Sequence, residues 1–166
     1  MLKFATATVL AVAMTAVPLA AGAHGYKAGD LAIGQPWSRP TPPGAPTAAG
    51  YLTVTNTGHA PDTLVGASSP EAAGLELHQS SMAGGIMRMR AVPEGVVIAP
   101  GQTVKLQPGG YHLMFMGPKK PFAVGDHVPA TLRFRRAGTV KVEFDVQEAA
   151  PEAGGRGHAG MGMGMH

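Results

Sequence analysis

The stretch Val140-Lys141-Val142-Glu143-Phe144-Asp145-Val146 alternates strictly between apolar and charged residues. Because successive side chains of a strand point to opposite faces, this pattern predicts a strand with one face in a core and the other in solvent. Thr131-Leu132-Arg133-Phe134-Arg135 alternates in the same way, and the run from Gly50 to Asn56 also has the composition of a strand. Such segments recur between about residues 32 and 146, separated by Gly and Pro turns at short spacing, so the sequence predicts an all-β sandwich without an amphipathic helix.

Length and composition place these strands in one domain. The 166 residues are 45% apolar and 14% charged, which is typical of one globular domain with short extensions. Lys3, the apolar stretch to Leu19 and the small residues before His24 have the pattern of a secretory signal. A membrane anchor is the alternative, but the stretch is short for a span and contains Pro18. We therefore predict a signal peptide over 1–23, a β-sandwich domain over 24–146 and a tail over 147–166, in an exported protein whose mature form does not span a membrane.

Charge and the absence of cysteine exclude several classes of function. The chain has a formal net charge of +3 and no cysteine. A blue-copper electron carrier needs a thiolate ligand, so that class is excluded. The basic residues are scattered rather than clustered, so nucleic acid is not an expected partner. A hydrolase is not expected either, because the sequence has no nucleophile elbow and no convincing Ser/His/Asp set.

Two histidines lie in segments with a period of two. In Leu75-Glu76-Leu77-His78 the leucines can face the core while His78 projects the other way. We predict a turn over residues 79–85 and a returning strand over 86–90, which brings Met89 back towards His78. In the run Tyr111-His112-Leu113-Met114-Phe115-Met116, the histidine and both methionines share one face. The sequence therefore predicts two pairs of nitrogen and sulfur ligands, His78 with Met89 and His112 with a methionine of the same strand, that converge on one metal site.

The chemistry of these side chains indicates a monovalent soft metal ion. A thioether has no proton to lose and holds magnesium, calcium and zinc poorly, whereas together with neutral imidazole it suits copper(I). A methionine in a strand is ordinarily a flexible core filler, and this reading applies to each strand methionine taken singly. The sequence leaves open which sulfurs bind, with Met82, Met87 and Met116 as alternatives. Two other histidines without such neighbours, His59 and His127, are predicted to be surface residues, and Trp37 is predicted to be a core anchor rather than a residue that stacks on a ligand.

The tail has a second concentration of the same side chains. Residues 154–166 alternate glycine with histidine and methionine, which leaves too little apolar surface for a core and predicts a disordered segment. This composition points to metal capture. The candidate tail ligands are His158, Met161, Met163, Met165 and His166, and copper(II) is a further candidate ion there.

The motif resembles that of the periplasmic copper(I) chaperones of the PCuAC family. His78, ten intervening residues, Met89, a gap of 22 residues and then His112-Leu113-Met114 match the signature of that family. The surrounding sequence is also similar, in the segments Tyr26 to Leu31, Pro36-Trp37-Ser38-Arg39, Gly50-Tyr51-Leu52, Met87 to Arg90 and Pro108 to Met114. The resemblance covers residues 24–146, essentially the whole predicted domain.

The resemblance implies a cupredoxin-like Greek-key β-sandwich in the periplasm that binds one copper(I) through His78, Met89, His112 and Met114. It implies delivery of that copper to the copper site of cytochrome c oxidase, or to a thiol-containing assembly factor, by a protein that is not an enzyme and is expected to be a monomer. The alternative is a copper enzyme or a copper(II) binder that uses the amine and imidazole of a mature N-terminal His24.

Overall fold

The computed structural model describes residues 25–150, which form eleven strands and no helix. The predicted signal peptide, His24 and the tail ligands from His158 to His166 lie outside the described residues. The strands are β1 Gly25–Ala28, β2 Leu31–Ser38, β3 Thr47–Asn56, β4 Asp62–Ser68, β5 Ala72–Ala83, β6 Ile86–Ala91, β7 Val96–Ile98, β8 Thr103–Leu106, β9 Tyr111–Pro118, β10 His127–Phe134 and β11 Gly138–Val146. The predicted all-β class is confirmed. Over residues 25–150 the structure has no helix long and apolar enough to span a membrane.

Seven strands form a continuous ring that encloses the core as a sandwich. Their order is β2-β11-β10-β4-β5-β9-β3, and pairing between β2 and β3 closes the ring. The remaining strands attach to the outside of it: β1 pairs with β2, β8 with β3, β7 with β4 and β6 with β5. Neighbours in the ring are mostly distant in sequence, as in Greek-key sandwiches. Among the described strands β6 pairs with β5 alone, and all six of its residues are exposed, so the outer part of this hairpin lies outside the ring.

The core lies inside this ring and is built by the predicted alternation. Leu75 and Leu77 of β5 pack there with Leu113 and Phe115 of β9, together with the apolar face of β11. Two edge-to-face aromatic contacts, with ring centroids 5.3 and 5.5 Å apart, join Phe115 to Phe122 and to Phe144. Residues on the other face of β5 and β9 are left to form a second, separate surface.

Glycine at position 50 is required by this packing. A Cβ at Gly50 would lie 2.9 Å from ring carbons of both Phe115 and Phe144, closer than van der Waals contact allows.

Strand β2 contains a β-bulge. Its register with β3 shifts between Gly34 and Trp37, and Gln35 takes a positive φ of 49°. Pro36 sits within this bulge, where the ladder is interrupted and no backbone donor is needed.

One sequence-based boundary was wrong. Residues 79–83 belong to strand β5, and the turn consists of Gly84 and Gly85 alone, with φ angles of 59° and 76°. Two consecutive positive φ angles define the tight hairpin turn that matches the twist of paired strands. The polar run Gln79-Ser80-Ser81 lacks the apolar alternation of a half-buried strand, because this part of β5 lies beyond the core. The other predicted strands, from Gly50, Thr131 and Val140, are confirmed apart from Arg135, which lies beyond the end of β10.

Candidate metal centre

His78 and His112 are direct cross-strand partners on β5 and β9. Paired residues of neighbouring strands project to the same face, so both imidazoles lie on the face opposite Leu77 and Leu113. Their ring centroids are 5.9 Å apart, and the ring planes are inclined by 52°. Two imidazoles at this separation can contribute to a single site between or beside them.

The two predicted methionine ligands share that face. Met114 is two residues beyond His112 on β9 and pairs with Glu76, which lies two residues before His78 on β5. Met89 of β6 pairs with Ser80, which lies two residues after His78. Alternation and register together therefore place both sulfur-bearing side chains on the histidine face, one on each side of the histidine pair.

Each histidine has one ring nitrogen held by a protein acceptor. Nε2 of His78 lies 3.0 Å from Oε2 of Glu76, and Nδ1 of His112 lies 3.2 Å from the carbonyl oxygen of Gly110. A carboxylate or carbonyl only accepts, so these nitrogens carry the proton and donate it. The neutral ring then has its lone pair on the other nitrogen, Nδ1 in His78 and Nε2 in His112.

Those other nitrogens are buried without partners. Over residues 25–150, neither His78 Nδ1 nor His112 Nε2 has a hydrogen-bond partner. A buried polar atom left unpaired costs free energy, on the order of 1–3 kcal/mol, so such atoms are rare outside functional sites. The donor set on this face, two imidazole lone pairs and two thioethers, is neutral and soft, which fits a monovalent copper ion.

Burial favours the neutral form of the deeper histidine. His112 is only 3% exposed, and removal from solvent lowers the pKa of its imidazole, with a further lowering by the neighbouring His78 and an opposing increase from the Gly110 hydrogen bond. A neutral imidazole is the form that binds a metal ion. The surroundings of His112 therefore keep it ready to act as a ligand.

An aromatic pair continues the same face beyond β9. Tyr51 lies two residues from Ala49, the cross-strand partner of Met114, and packs against Trp37 with ring centroids 4.8 Å apart. Trp37 was predicted to anchor the core: it is buried, but it packs against Tyr51 on this side of β3 and not in the main core cluster. The histidine pair is thus flanked by apolar side chains on the β3 side and is accessible to solvent on the β6 side.

The candidate ligands differ greatly in exposure. His112 and Met114 are buried, whereas Met89 is 51% exposed, and Met82 and Met87 are exposed as well. The core-filler interpretation is therefore wrong for these three methionines, because β6 and the end of β5 lie outside the ring of strands. His59 and His127 are exposed as predicted, and His127 pairs with Asp145 at 2.7 Å.

Sequence reasoning missed Glu76. Its position two residues before His78 in an alternating strand was sufficient to place it on the histidine face, and carboxylates commonly orient metal-binding imidazoles. Gln79, which follows His78 directly, lies on the opposite face, where its Oε1 accepts a hydrogen bond of 2.9 Å from Arg90.

Comparisons with known proteins agree with this architecture. The family model "Putative lipoprotein LpqE-like" matches residues 31–146. The chain is similar to "Putative lipoprotein Lxx21020" of Leifsonia xyli, with 33% identity over 80% of this chain and 78% of the relative.

Two solved structures have the same fold and carry copper in their names. The copper-bound PCuAC domain from PmoF2 is 27% identical, with a TM-score of 0.63 over 77% of this chain and 99% of that domain. The solution structure of CuI-DR1885 from Deinococcus radiodurans is 33% identical, with a TM-score of 0.57 over 77% of this chain and 83% of that protein. The protein described here therefore belongs to the LpqE-like family, a family related to the PCuAC domains whose fold it shares.

Proposed function

We propose that this protein is an exported copper(I) chaperone that holds one copper ion through His78 Nδ1, Met89, His112 Nε2 and Met114. The proposal rests on the paired imidazoles of His78 and His112. In each ring one nitrogen is hydrogen-bonded to a protein oxygen, and the other is buried without a partner within residues 25–150. Copper-bound relatives of the same fold, with 27% and 33% identity, support the choice of metal.

The ligand set suits carriage of the ion. Four neutral ligands bind a monovalent ion without a compensating charge, and soft thioethers favour copper(I). Because Met89 is half exposed while the other three side chains are largely buried, an acceptor can approach copper from the β6 side and replace Met89 first. Copper then leaves by successive ligand exchange, a delivery reaction that requires no catalytic residues.

We propose the copper site of cytochrome c oxidase, or a thiol-containing assembly factor, as the acceptor. Thiolate is a stronger ligand for copper(I) than thioether, so transfer to such an acceptor is downhill. The relative named as a lipoprotein supports an exported location, and we propose the periplasm, with residues 1–23 removed as a signal peptide and the monomeric domain of residues 24–146 carrying the site.

The tail extends this proposal. His158, Met161, Met163, Met165 and His166 are proposed to bind copper(I), or copper(II), and to raise the copper concentration near the folded site. A flexible chain of about 18 residues has an r.m.s. reach on the order of 20–25 Å, comparable to the size of the domain.

The direct test is copper(I) competition binding by the full chain and by single variants of each proposed ligand. His78→Asn, His112→Asn, Met89→Leu and Met114→Leu are each expected to weaken binding, the histidine changes by about 100-fold or more, since even changes around metal ligands cost 10–100-fold. Matched controls are His127→Asn for imidazole and Met116→Leu for thioether, both expected to leave the affinity unchanged. Met116 shares the histidine face, but it pairs with Gly74, beyond Met114 and four residues from His112. Undiminished affinity in the two histidine variants would refute the proposed site.

A further inference from the structure

A row of exposed methionines runs along the β5–β6 hairpin beyond the proposed site. Met82 is 65% exposed and Met87 is 59% exposed, although methionine is an apolar side chain that usually fills cores. Alternation places both on the same hairpin face as Met89, because Met87 and Met89 are two residues apart and Met82 pairs with Met87. We call Met82, Met87 and Met89 the thioether row.

The register brings the first two members of the row close together. The backbone N–H of Val92 donates to the carbonyl of Leu77 at 2.8 Å, which identifies Leu77 and Val92 as a hydrogen-bonded pair. Pair types alternate along an antiparallel ladder, so Met82 and Met87, five positions further along, form a non-hydrogen-bonded pair. In such pairs the Cα atoms are about 4.5 Å apart and the side chains are closest. Two flexible thioethers can therefore bind one ion together.

The row forms a gradient of exposure that ends at the histidines. Exposure rises from buried His112 and Met114, through half-exposed Met89, to the Met82–Met87 pair at the tip. Same-face neighbours on a strand are about 7 Å apart, a distance that two long, unbranched side chains can span together. The row thus connects the solvent at the hairpin tip with the one accessible ligand of the proposed site.

In the outer part of the hairpin, residues 79–91, the charged side chains lie on the other face. Arg90 donates hydrogen bonds to Gln79 at 2.9 Å and Glu94 at 3.3 Å, on the side opposite Met89. Arg88 pairs with Ser81 and by alternation shares that side. The row itself presents only uncharged sulfur, the ligand type selective for copper(I).

We propose that Met82 and Met87 form a second copper(I) site, a transfer station through which copper enters and leaves the histidine site by way of Met89. Each step exchanges one copper–ligand bond for another: sulfur for sulfur between the Met82–Met87 pair and Met89, and sulfur for imidazole nitrogen at the histidines, so copper stays monovalent and neither electrons nor protons move. The transfer role rests on the proposed function of the histidine site, whereas copper binding by the Met82–Met87 pair does not.

The binding half is tested with the histidine site disabled. In the full-length His78→Asn/His112→Asn variant, the methionine ε-methyl resonances are recorded by NMR while copper(I) is added as its acetonitrile complex. The methyl groups of Met82 and Met87 are expected to shift together. If both stay unshifted while tail methyl groups respond, the station does not exist.

The transfer half is tested by kinetics. Met82→Leu/Met87→Leu preserves apolar volume and removes both sulfurs. Loss of copper(I) from this variant to excess bicinchoninate is expected to be about tenfold slower than from the unmodified chain, at an equilibrium affinity within about twofold. Ile86→Leu, on the opposite face of the same hairpin, is the control and is expected to release copper at the original rate.

The outcomes separate the two proposals. An unchanged release rate in the double leucine variant would overturn the transfer role even if the histidine site is correct. A copper(I) affinity that is undiminished by loss of both histidines would overturn the proposed function, while the methyl shifts of Met82 and Met87 would still support the station.

Discussion

His78 and His112 are cross-strand neighbours on β5 and β9, with ring centroids 5.9 Å apart. In each ring one nitrogen is hydrogen-bonded to a protein oxygen, and the other is unpaired within residues 25–150. Glu76 and the Gly110 carbonyl hold the two rings in complementary tautomers, with Nδ1 of one and Nε2 of the other available. An apoprotein that stores two unpaired buried nitrogens gives up stability for a preformed site.

This trade-off predicts that an apolar residue at position 112 stabilises the apoprotein. In His112→Leu the unpaired Nε2 is gone, and the Gly110 carbonyl still accepts a 3.0 Å hydrogen bond from the Ser80 backbone. We expect the free energy of unfolding without copper to rise by about 1 kcal/mol, measured by urea denaturation. Copper(I) should raise the melting temperature of the unmodified chain. The increase should be much smaller for the His112→Leu variant. A clear loss of stability in copper-free His112→Leu would contradict this reading of Nε2.

Glu76 is predicted to position His78. Glu76→Ala removes the acceptor that holds the proton on Nε2, so copper(I) affinity should fall by about tenfold. Glu76→Gln keeps an accepting oxygen and should lose much less. Competition binding compares the two variants, with Glu94→Ala, a carboxylate on the loop after β6, as the control. Equal losses in both Glu76 variants would show that charge, rather than orientation, is the contribution of this side chain.

Asp62 is predicted to make stability depend on pH. Burial raises the pKa of its carboxyl, but backbone donors at Thr63, Arg136 and Ala137, 2.7–2.9 Å away, and the Arg136 charge outweigh that effect and hold the pKa below its ordinary value. Because the folded state favours the carboxylate, this stabilisation is complete above the unfolded pKa, about 3.9, and is lost as the pH falls through the lower folded pKa.

The Asp62→Asn variant provides the measurement. Its amide has one accepting oxygen instead of two, so we expect a loss of about 1–3 kcal/mol at pH 7, and a smaller loss near pH 3. Urea denaturation at both pH values gives the comparison. A difference from the unmodified chain that stays the same at pH 3 would contradict the assigned role of the carboxylate.

Removal of residues 147–166 should lower the number of copper ions bound without affecting the folded site. The last strand ends at Val146, and Gln147 adds one backbone hydrogen bond of 3.0 Å to Ser38, so the truncated protein should stay folded with a slightly lower melting temperature and keep its highest-affinity copper(I) site. Copper stoichiometry is measured by metal analysis after gel filtration. An unchanged number of bound copper ions would show that the tail does not bind copper.

Alternation allowed the faces of β5, β9 and β11 to be predicted from sequence, because each buries one row of side chains in the core. The same rule fails beyond the core. In the outer part of β5, the side chains on both faces of the strand are exposed or polar. The segment from Gln79 to Ala83 therefore shows no alternation of apolar and polar residues, and only Gly84-Gly85 marks the turn. The direct pairing of His78 with His112 was also beyond the sequence, since register between strands so far apart in the chain is fixed by the packed fold.

Imidazole nitrogen NMR tests at the level of single atoms whether His78 Nδ1 and His112 Nε2 bind copper(I). Copper(I) is diamagnetic, so one equivalent can be added to ¹⁵N-labelled full-length protein and followed in long-range ¹H–¹⁵N spectra. We expect the resonances of these two nitrogens to shift, while His78 Nε2 and His112 Nδ1 stay protonated and the resonances of His59 and His127 are unaffected. Shifts at the opposite nitrogens, or none at either histidine, would contradict it.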